Sequence, residues 1–239
     1  MIARVIWFVI LLGAACVTAG VQLDRQVRKT PELAAYVPEL FRSASQPRIA
    51  ALSIDSGIAK DGVTQAQTLV RRRPMPAQHL RLLAQAQFAA DEAEASSLTI
   101  QYAAQRGWRD RLAQEAMMQL ALAAGDRSEA TKRFAALFLI NGTDRGLLEE
   151  AAGEVLGEPG GQERTLYAEI VSGGQRWHST FLRRGARVLP PDAFVEILEK
   201  GIASGAGFRC SDLKQALRLM AGRNKNADGR LTALLNDQC

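Results

Sequence analysis

Two stretches of this chain echo one another. Leu82-Leu83-Ala84-Gln85-Ala86 leads into Asp91-Glu92-Ala93-Glu94-Ala95, and Met117-Met118-Gln119-Leu120-Ala121 leads into Asp126-Arg127-Ser128-Glu129-Ala130. Asp91 and Asp126 are 35 positions apart, as are Glu94 and Glu129, and Ala95 and Ala130. An apolar helix, a turn and a second apolar helix within a period in the mid-thirties mark stacked helical hairpins. One such unit cannot bury its apolar face alone, so neighbours must stack. The surfaces built this way bind partners more often than they do chemistry.

The composition agrees with an all-α fold. Among 239 residues, 47% are apolar and 23% charged, an ordinary globular balance. Aromatics are scarce at 6% and Ala is abundant, which suits closely approaching helices better than a β-sandwich. The net charge of +5 is spread along the chain, and Arg71-Arg72-Arg73 is its one tight run. A nucleic-acid binder concentrates such charge on one face or tail, so no nucleic acid is expected as partner.

Residues 5–21 contain no charge, and with Leu23 the apolar segment is long enough to cross a hydrocarbon core as a helix. Three readings fit. The segment is an uncleaved anchor, or a signal peptide cleaved after Ala19 behind Val17-Thr18-Ala19, or a lipoprotein signal ending at Cys16. The anchor is favoured because the apolar run continues past Cys16 without a polar break. Gly13 stands where the lipoprotein pattern wants a branched aliphatic residue. Basic residues are more numerous after the segment than before it, so charge alone does not set the orientation. If Cys16 stays in this segment, Cys210 and Cys239 remain as a pair near the C-terminus, a reasonable disulfide in an oxidising compartment.

Further along, Thr30-Pro31-Glu32 has the form of a helix start and predicts a short helix to about Arg42. Residues 43–47 read as a linker. Helices are predicted at about 48–58, 63–73, 77–89, 92–106, 110–124 and 127–140. Asp91 with Glu94 and Asp126 with Glu129 form capping boxes that start the second helix of each hairpin, and Gly107 and Gly142 end those helices. Beyond the breaker at 157–161, apolar helical faces recur at 166–171, 181–188, 194–203, 213–220 and 231–235. Four regions result: a transmembrane anchor or signal segment at 1–23, a stem and linker at 24–47, helical repeats at 48–144 and a C-terminal helical region at 145–239.

The repeat region resembles the tetratricopeptide repeat. Ala130 and Phe134 match that family's small residue and aromatic four positions apart, Pro74 matches the Pro near the unit's end, and Ala84 matches the small residue of the first helix. Met118 departs from that small residue, and Leu80 and Gln114 stand where an aromatic is expected. The resemblance covers about 48–144. It implies antiparallel helical hairpins stacked as a short right-handed solenoid and a role in protein–protein interaction; residues 145–239 read either as diverged hairpins or, more simply, as a C-terminal helical cap that covers the last apolar face.

Candidate chemistry is sparse. His79 and His178 have no metal-ligand spacing around them, and Glu149, Glu150 and Glu154 read as a solvated helix face. No Gly-rich phosphate loop, nucleophile elbow or Cys-x-x-Cys occurs, so neither enzyme activity nor a cofactor or metal is expected. The most distinctive short segments are Arg106-Gly107-Trp108-Arg109-Asp110 and Trp177-His178. Each residue there has a structural use: Gly107 and Asp110 as caps, Trp108 packed between hairpins, Trp177 tucked into a helix N-terminus. Functionally, Arg106, Trp108, Arg109, Trp177 and His178 are the candidate partner-binding residues, able to stack on a peptide or a glycan.

The layout, helical repeats behind an apolar N-terminal segment, resembles that of bacterial envelope proteins, and this resemblance implies a scaffold of the bacterial envelope. It is held through residues 5–23 as a single-pass inner-membrane protein with its bulk in the periplasm, or is periplasmic or secreted after cleavage. Its partners are envelope proteins, in an assembly such as polysaccharide production or export, or secretion. A carbohydrate-binding or carbohydrate-active helical protein is the alternative.

Overall fold

The computed structural model describes residues 2–239. Among them are thirteen α-helices, two short 3-10 helices and no strand. The α-helices are α1 (Ile2–Gln26), α2 (Gln46–Asp55), α3 (Ala59–Arg72), α4 (Ala77–Ala89), α5 (Ala93–Arg106), α6 (Arg111–Ala123), α7 (Arg127–Leu139), α8 (Arg145–Leu156), α9 (Gln162–Ser172), α10 (Gln175–Val188), α11 (Pro191–Ala203), α12 (Cys210–Met220) and α13 (Lys225–Gln238). The chain divides into two compact units, one running to Gly107 and the other Trp108–Cys239. That division falls inside residues 48–144, the stretch expected to form a single run of repeats.

In the first unit, α1 is long and apolar enough to cross a membrane or to serve as a signal sequence. Its apolar side chains stand exposed from Ile2 to Val17. Its last turns are held by protein. A Cβ on Gly20 would lie 2.4 Å from the Phe41 ring, so only glycine admits that contact. Asp24 accepts bonds from the backbone amides of Ser43, Ala44 and Ser45 and from the Ser45 hydroxyl, at 2.7–3.1 Å.

Residues 43–47 are therefore not a linker. Ser45 and Gln46 are buried, and the stem is tied to α1 through one carboxylate. The helix expected from Thr30 to Arg42 is also absent. Two 3-10 helices, Pro31–Tyr36 and Glu39–Phe41, take its place, and Thr30 makes no side-chain cap. Pro38 explains the break: it lacks an N–H and drives Val37 into extended backbone, with ψ of 118°. Val27, Ala34 and Val37 form a small core there, with Leu23, Phe41 and Ile49 against it. The hairpins α2–α3 and α4–α5 follow, with α4 packed on α3.

The structural period is 34 residues, not 35. Helix starts recur at Ala77, Arg111 and Arg145, and at Ala59, Ala93 and Arg127. The turn inside each hairpin carries a left-handed residue at Gly57, Asp91 and Gly125, with φ of 76°, 58° and 74°. The capping box expected at Asp91 and Glu94 is therefore not formed. Asp91 closes α4 in the role that Gly125 has after α6, a position that Asp tolerates better than most residues. Glu92, the counterpart of Asp126, makes no side-chain cap.

Asp126 does cap α7, accepting from the Glu129 amide at 2.9 Å. The Glu129 carboxylate turns to Arg133 rather than back to the cap. Gly107 and Gly142 are likewise not equivalent: Gly107 directly follows α5, whereas Gly142 lies beyond the end of α7 with φ of 81°. In the 34-residue register, the second helices bury Gly62, Ala66 and Leu69, then Ser96, Ile100 and Ala103, then Ala130, Phe134 and Leu137. These are stripes at i, i+4 and i+7, one helix face each.

In the second unit, α6 and α7 form a hairpin, after which packing alternates. α7 lies on α9, α9 on α11 and α11 on α13, while α8 lies on α10 and α10 on α12. One core extends from Met118 to Leu231 through all of them. Residues 145–239, open between further hairpins and a cap, thus share their core with the α6–α7 hairpin. Phe134, Phe138, Tyr167, Phe181 and Phe194 run through this core with ring centroids 5.3–6.3 Å apart. Five of the fourteen aromatics thus cluster where four helices meet.

Arginines finish the helix ends. Arg184 donates to the carbonyls of Phe138, Ile140 and Thr143 beyond α7, and Arg223 to those of Ala186 and Leu189 at the end of α10. Arg164, from α9, donates to Leu156 and Gly157 at the end of α8. C-terminal carbonyls lack helical partners and carry partial negative charge, so guanidinium forks satisfy them well. Much of the Arg excess is thereby used internally.

Ala130 is fully buried at the crossing of α6 and α7. Ala130→Trp is expected to lower stability by about 1–3 kcal/mol through overpacking. Lys132→Ala is expected to stay within about 0.5 kcal/mol, because Lys132 has a half-exposed side chain and only a 3.9 Å approach to Glu129. Urea unfolding of the two variants measures the difference, and equal midpoints would refute this helix register.

Candidate functional site

The second unit brings together two of the distinctive sequence segments. Trp108 precedes α6, and Trp177 lies in the first turn of α10. Their rings meet edge to face, with centroids 6.3 Å apart and planes at 80°. The Arg109 guanidinium lies over the Trp108 ring at 4.7 Å, and that of Arg176 lies over Trp177 at 4.7 Å. The order is arginine, tryptophan, tryptophan, arginine. Arg109 and Arg176 are exposed and Trp108 is 42% exposed, so the cluster opens to solvent.

Local structure explains the positions. Asp110 accepts from the Ala113 amide at 3.3 Å and starts α6, holding Trp108 and Arg109 just outside the helix. Gly174 stands before α10, and a Cβ there would lie 2.9 Å from the Trp177 ring. Trp177 therefore folds over its own helix start, as its sequence context suggested. Its other side borders a small apolar cleft lined by Phe138, Leu139, Tyr167, Ile170 and Phe181.

The remaining candidates lie elsewhere. Arg106 belongs to the first unit, where it donates to the Pro74 carbonyl at 2.7 Å. His178 points inward: it is 6% exposed, its ring lies 4.6 Å from that of Phe208, and Nδ1 is 3.0 Å from the Gly207 carbonyl oxygen. That contact places a proton on Nδ1, leaving Nε2 as a buried atom without a hydrogen-bond partner. His178 is a core residue rather than a contact residue. His79 is also buried, with Nδ1 2.8 Å from the Arg73 carbonyl oxygen.

Sequence reasoning missed Arg176 as the fourth member of the cluster. The signal was its adjacency to Trp177, which mirrors that of Arg109 to Trp108. It also missed Leu98 and Tyr102, one turn apart on α5 and 53% and 54% exposed. Among the described residues, no group of three or more His, Cys, Asp or Glu is placed to hold a metal ion. Glu149 pairs with Arg145 at 2.8 Å along an exposed face of α8.

These features define an all-helical protein of repeating hairpins with an apolar N-terminal helix and an exposed cationic–aromatic cluster. Compared with protein-family models, characterised proteins and solved structures, the chain matches none.

Proposed function

We propose that this protein is a tetratricopeptide-like interaction scaffold of the bacterial envelope, without enzymatic activity. In this reading α1 anchors it in the inner membrane and the hairpins lie in the periplasm, where they bind a protein component of an envelope assembly such as polysaccharide production or export, or secretion. The carrying observation is the exposed Trp108–Trp177 pair with a guanidinium on each ring. Trp and Arg are the residue types that most often dominate protein interfaces, and here they are already stacked on one another at the surface.

Two further features support the reading. The 34-residue recurrence of turns and buried stripes equals the tetratricopeptide period. The Cys210–Cys239 disulfide suits an oxidising compartment.

The test combines topology and binding. Alkaline phosphatase fused after Cys239 is expected to be active in a bacterial host, and an inactive fusion would place the hairpins in the cytoplasm. Full-length protein purified from detergent-solubilised membranes is expected to retain a specific partner. Trp108→Ala with Trp177→Ala should weaken that partner's binding by at least about tenfold, since such anchors contribute about 2 kcal/mol or more each. Undiminished binding would remove the cluster from the interface.

A further inference from the structure

A second feature of the Trp108–Cys239 unit goes beyond the scaffold reading and does not depend on it. An open groove of about 500 Å³ runs between the loop at 141–143, the start of α8, one face of α10 and α12. Its lining contains Arg145, Arg183, Arg184 and Arg187 and no acidic side chain. Two of these cations are already used: Arg184 holds the carbonyls beyond α7, and Arg145 pairs with Glu149. Arg183 makes one long bond of 3.4 Å to the Ser179 carbonyl of its own helix, and Arg187 has no partner among the described residues. Both are exposed. As residues i and i+4 they stand on one face of α10, about 5–6 Å apart at Cβ. Asp144, between the lining residues Thr143 and Arg145, is turned to the Leu147 amide that it caps.

We propose that this groove binds an acidic polysaccharide through the carboxylates of its sugar rings. Arg183 and Arg187 would each grip one carboxylate, because a guanidinium fork matches a carboxylate bidentately. Their separation of one helical turn is close to the length of one sugar residue in a chain. Neutral hydrogen-bonding side chains, Asn141, Thr180 and Gln215, line the same groove and suit sugar hydroxyls.

The lining also discriminates against other polyanions. It holds no aromatic ring on which a nucleic-acid base could stack. Its only aliphatic residues, Leu148 and Val188, are buried, so an anionic lipid would find no apolar surface for its acyl chains. A polar, cationic groove open to solvent fits a hydrated acidic chain best.

The test uses the full chain in zwitterionic detergent micelles, titrated with oligogalacturonate and followed by calorimetry. Binding is expected, weakening as NaCl screens it. Arg183→Ser with Arg187→Ser should reduce affinity by at least about tenfold, as expected for losing two charge-assisted contacts. Arg71→Ser with Arg73→Ser removes the same charge from exposed sites at the end of α3 and should change affinity less than about threefold. Equal losses in the two double variants would mean attraction to net charge alone and would overturn the site. Equal binding of an uncharged glucan would overturn the role of the carboxylates. Binding of phosphatidylglycerol vesicles but not of oligogalacturonate would reassign the groove to a lipid surface and end the glycan proposal.

Discussion

Glu196→Gln is expected to destabilise the protein by about 3–5 kcal/mol, the range for leaving one member of a buried ion pair alone. Arg164 is nearly sealed in the second unit, its side chain only 3% exposed. It donates to Leu156 and Gly157 at the end of α8 and to Glu196 on α11 at 2.6 Å. Glu196 in turn accepts from the Gly160 amide at 3.1 Å and pairs with Lys200 at 2.9 Å. One carboxylate thus joins the α8–α9 turn, α9 and α11. Gln keeps the shape and loses the charge that compensates Arg164.

The pH dependence follows from the same contacts. Burial pushes the Glu196 carboxyl up, but bonds from Lys200, Arg164 and the Gly160 amide outweigh it and hold the carboxyl at about 2, against a usual 4.5. A carboxyl depressed in the folded state contributes fully above its unfolded value, and that contribution fades as pH falls through the folded value. The gap in unfolding free energy between the wild type and Glu196→Gln should therefore be large at about pH 6 and should narrow from about pH 4.5 down to about pH 2. Chemical unfolding across that window measures it, and a pH-independent gap would show that the carboxylate's charge contributes nothing. Arg164→Met combined with Glu196→Leu should lose less than the sum of the single variants, because the lone charge disappears with its partner.

Replacing Cys210 and Cys239 together with Ser is expected to cost about 3–4 kcal/mol on the chain-entropy account of closing a loop of this length. The two cysteines are 29 positions apart and bridged, with Cα atoms at 5.8 Å. They join the first turn of α12 to the end of the chain after α13. Between them the chain reverses at Gly222, with φ of 83°, and Asn224 caps α13 through the amides of Asn226 and Ala227. α13 buries only Ala227 and Leu231 fully, so it depends on the bridge more than the inner helices do. In a non-reduced digest the two cysteine peptides should appear linked, and free alkylation of both would rule out the bridge. Calorimetry with and without reductant should show the loss.

The helices themselves were largely legible in the sequence. The predicted 77–89 is α4 to the residue, and 92–106, 110–124 and 127–140 differ from α5, α6 and α7 by one residue at most at either end. Capping residues and apolar spacing act over three to seven positions, so a sequence displays them directly. The repeat register was harder. Asp91 and Asp126 invite an alignment at 35, because one residue type can either cap a helix start or close a helix end with positive φ. Only the backbone distinguishes the two, and it places Asp91 with Gly125. The stem failed for a similar reason: the partner of residues 43–45 is Asp24, some twenty positions away.

Of the site, the sequence displayed two tryptophans beside arginines and nothing to say that they meet. Trp108 and Trp177 come together because α6 and α10 belong to one packed unit, a long-range consequence of the core. The same packing turned His178 inward onto Phe208 and left Arg106 in the other unit. By itself the sequence determined the all-α class, the apolar N-terminal helix and the boundaries of α4 to α7, and it favoured a bridge between its last two cysteines. These depend on composition, local periodicity and elimination among few cysteines. The tertiary structure alone decided the 34-residue register, the carboxylate clamp on the stem, the shared core of residues 118–231, and which arginines cap helices and which remain free. Those outcomes depend on groups far apart in the chain competing for the same buried volume and the same unsatisfied carbonyls, and no local pattern records who wins.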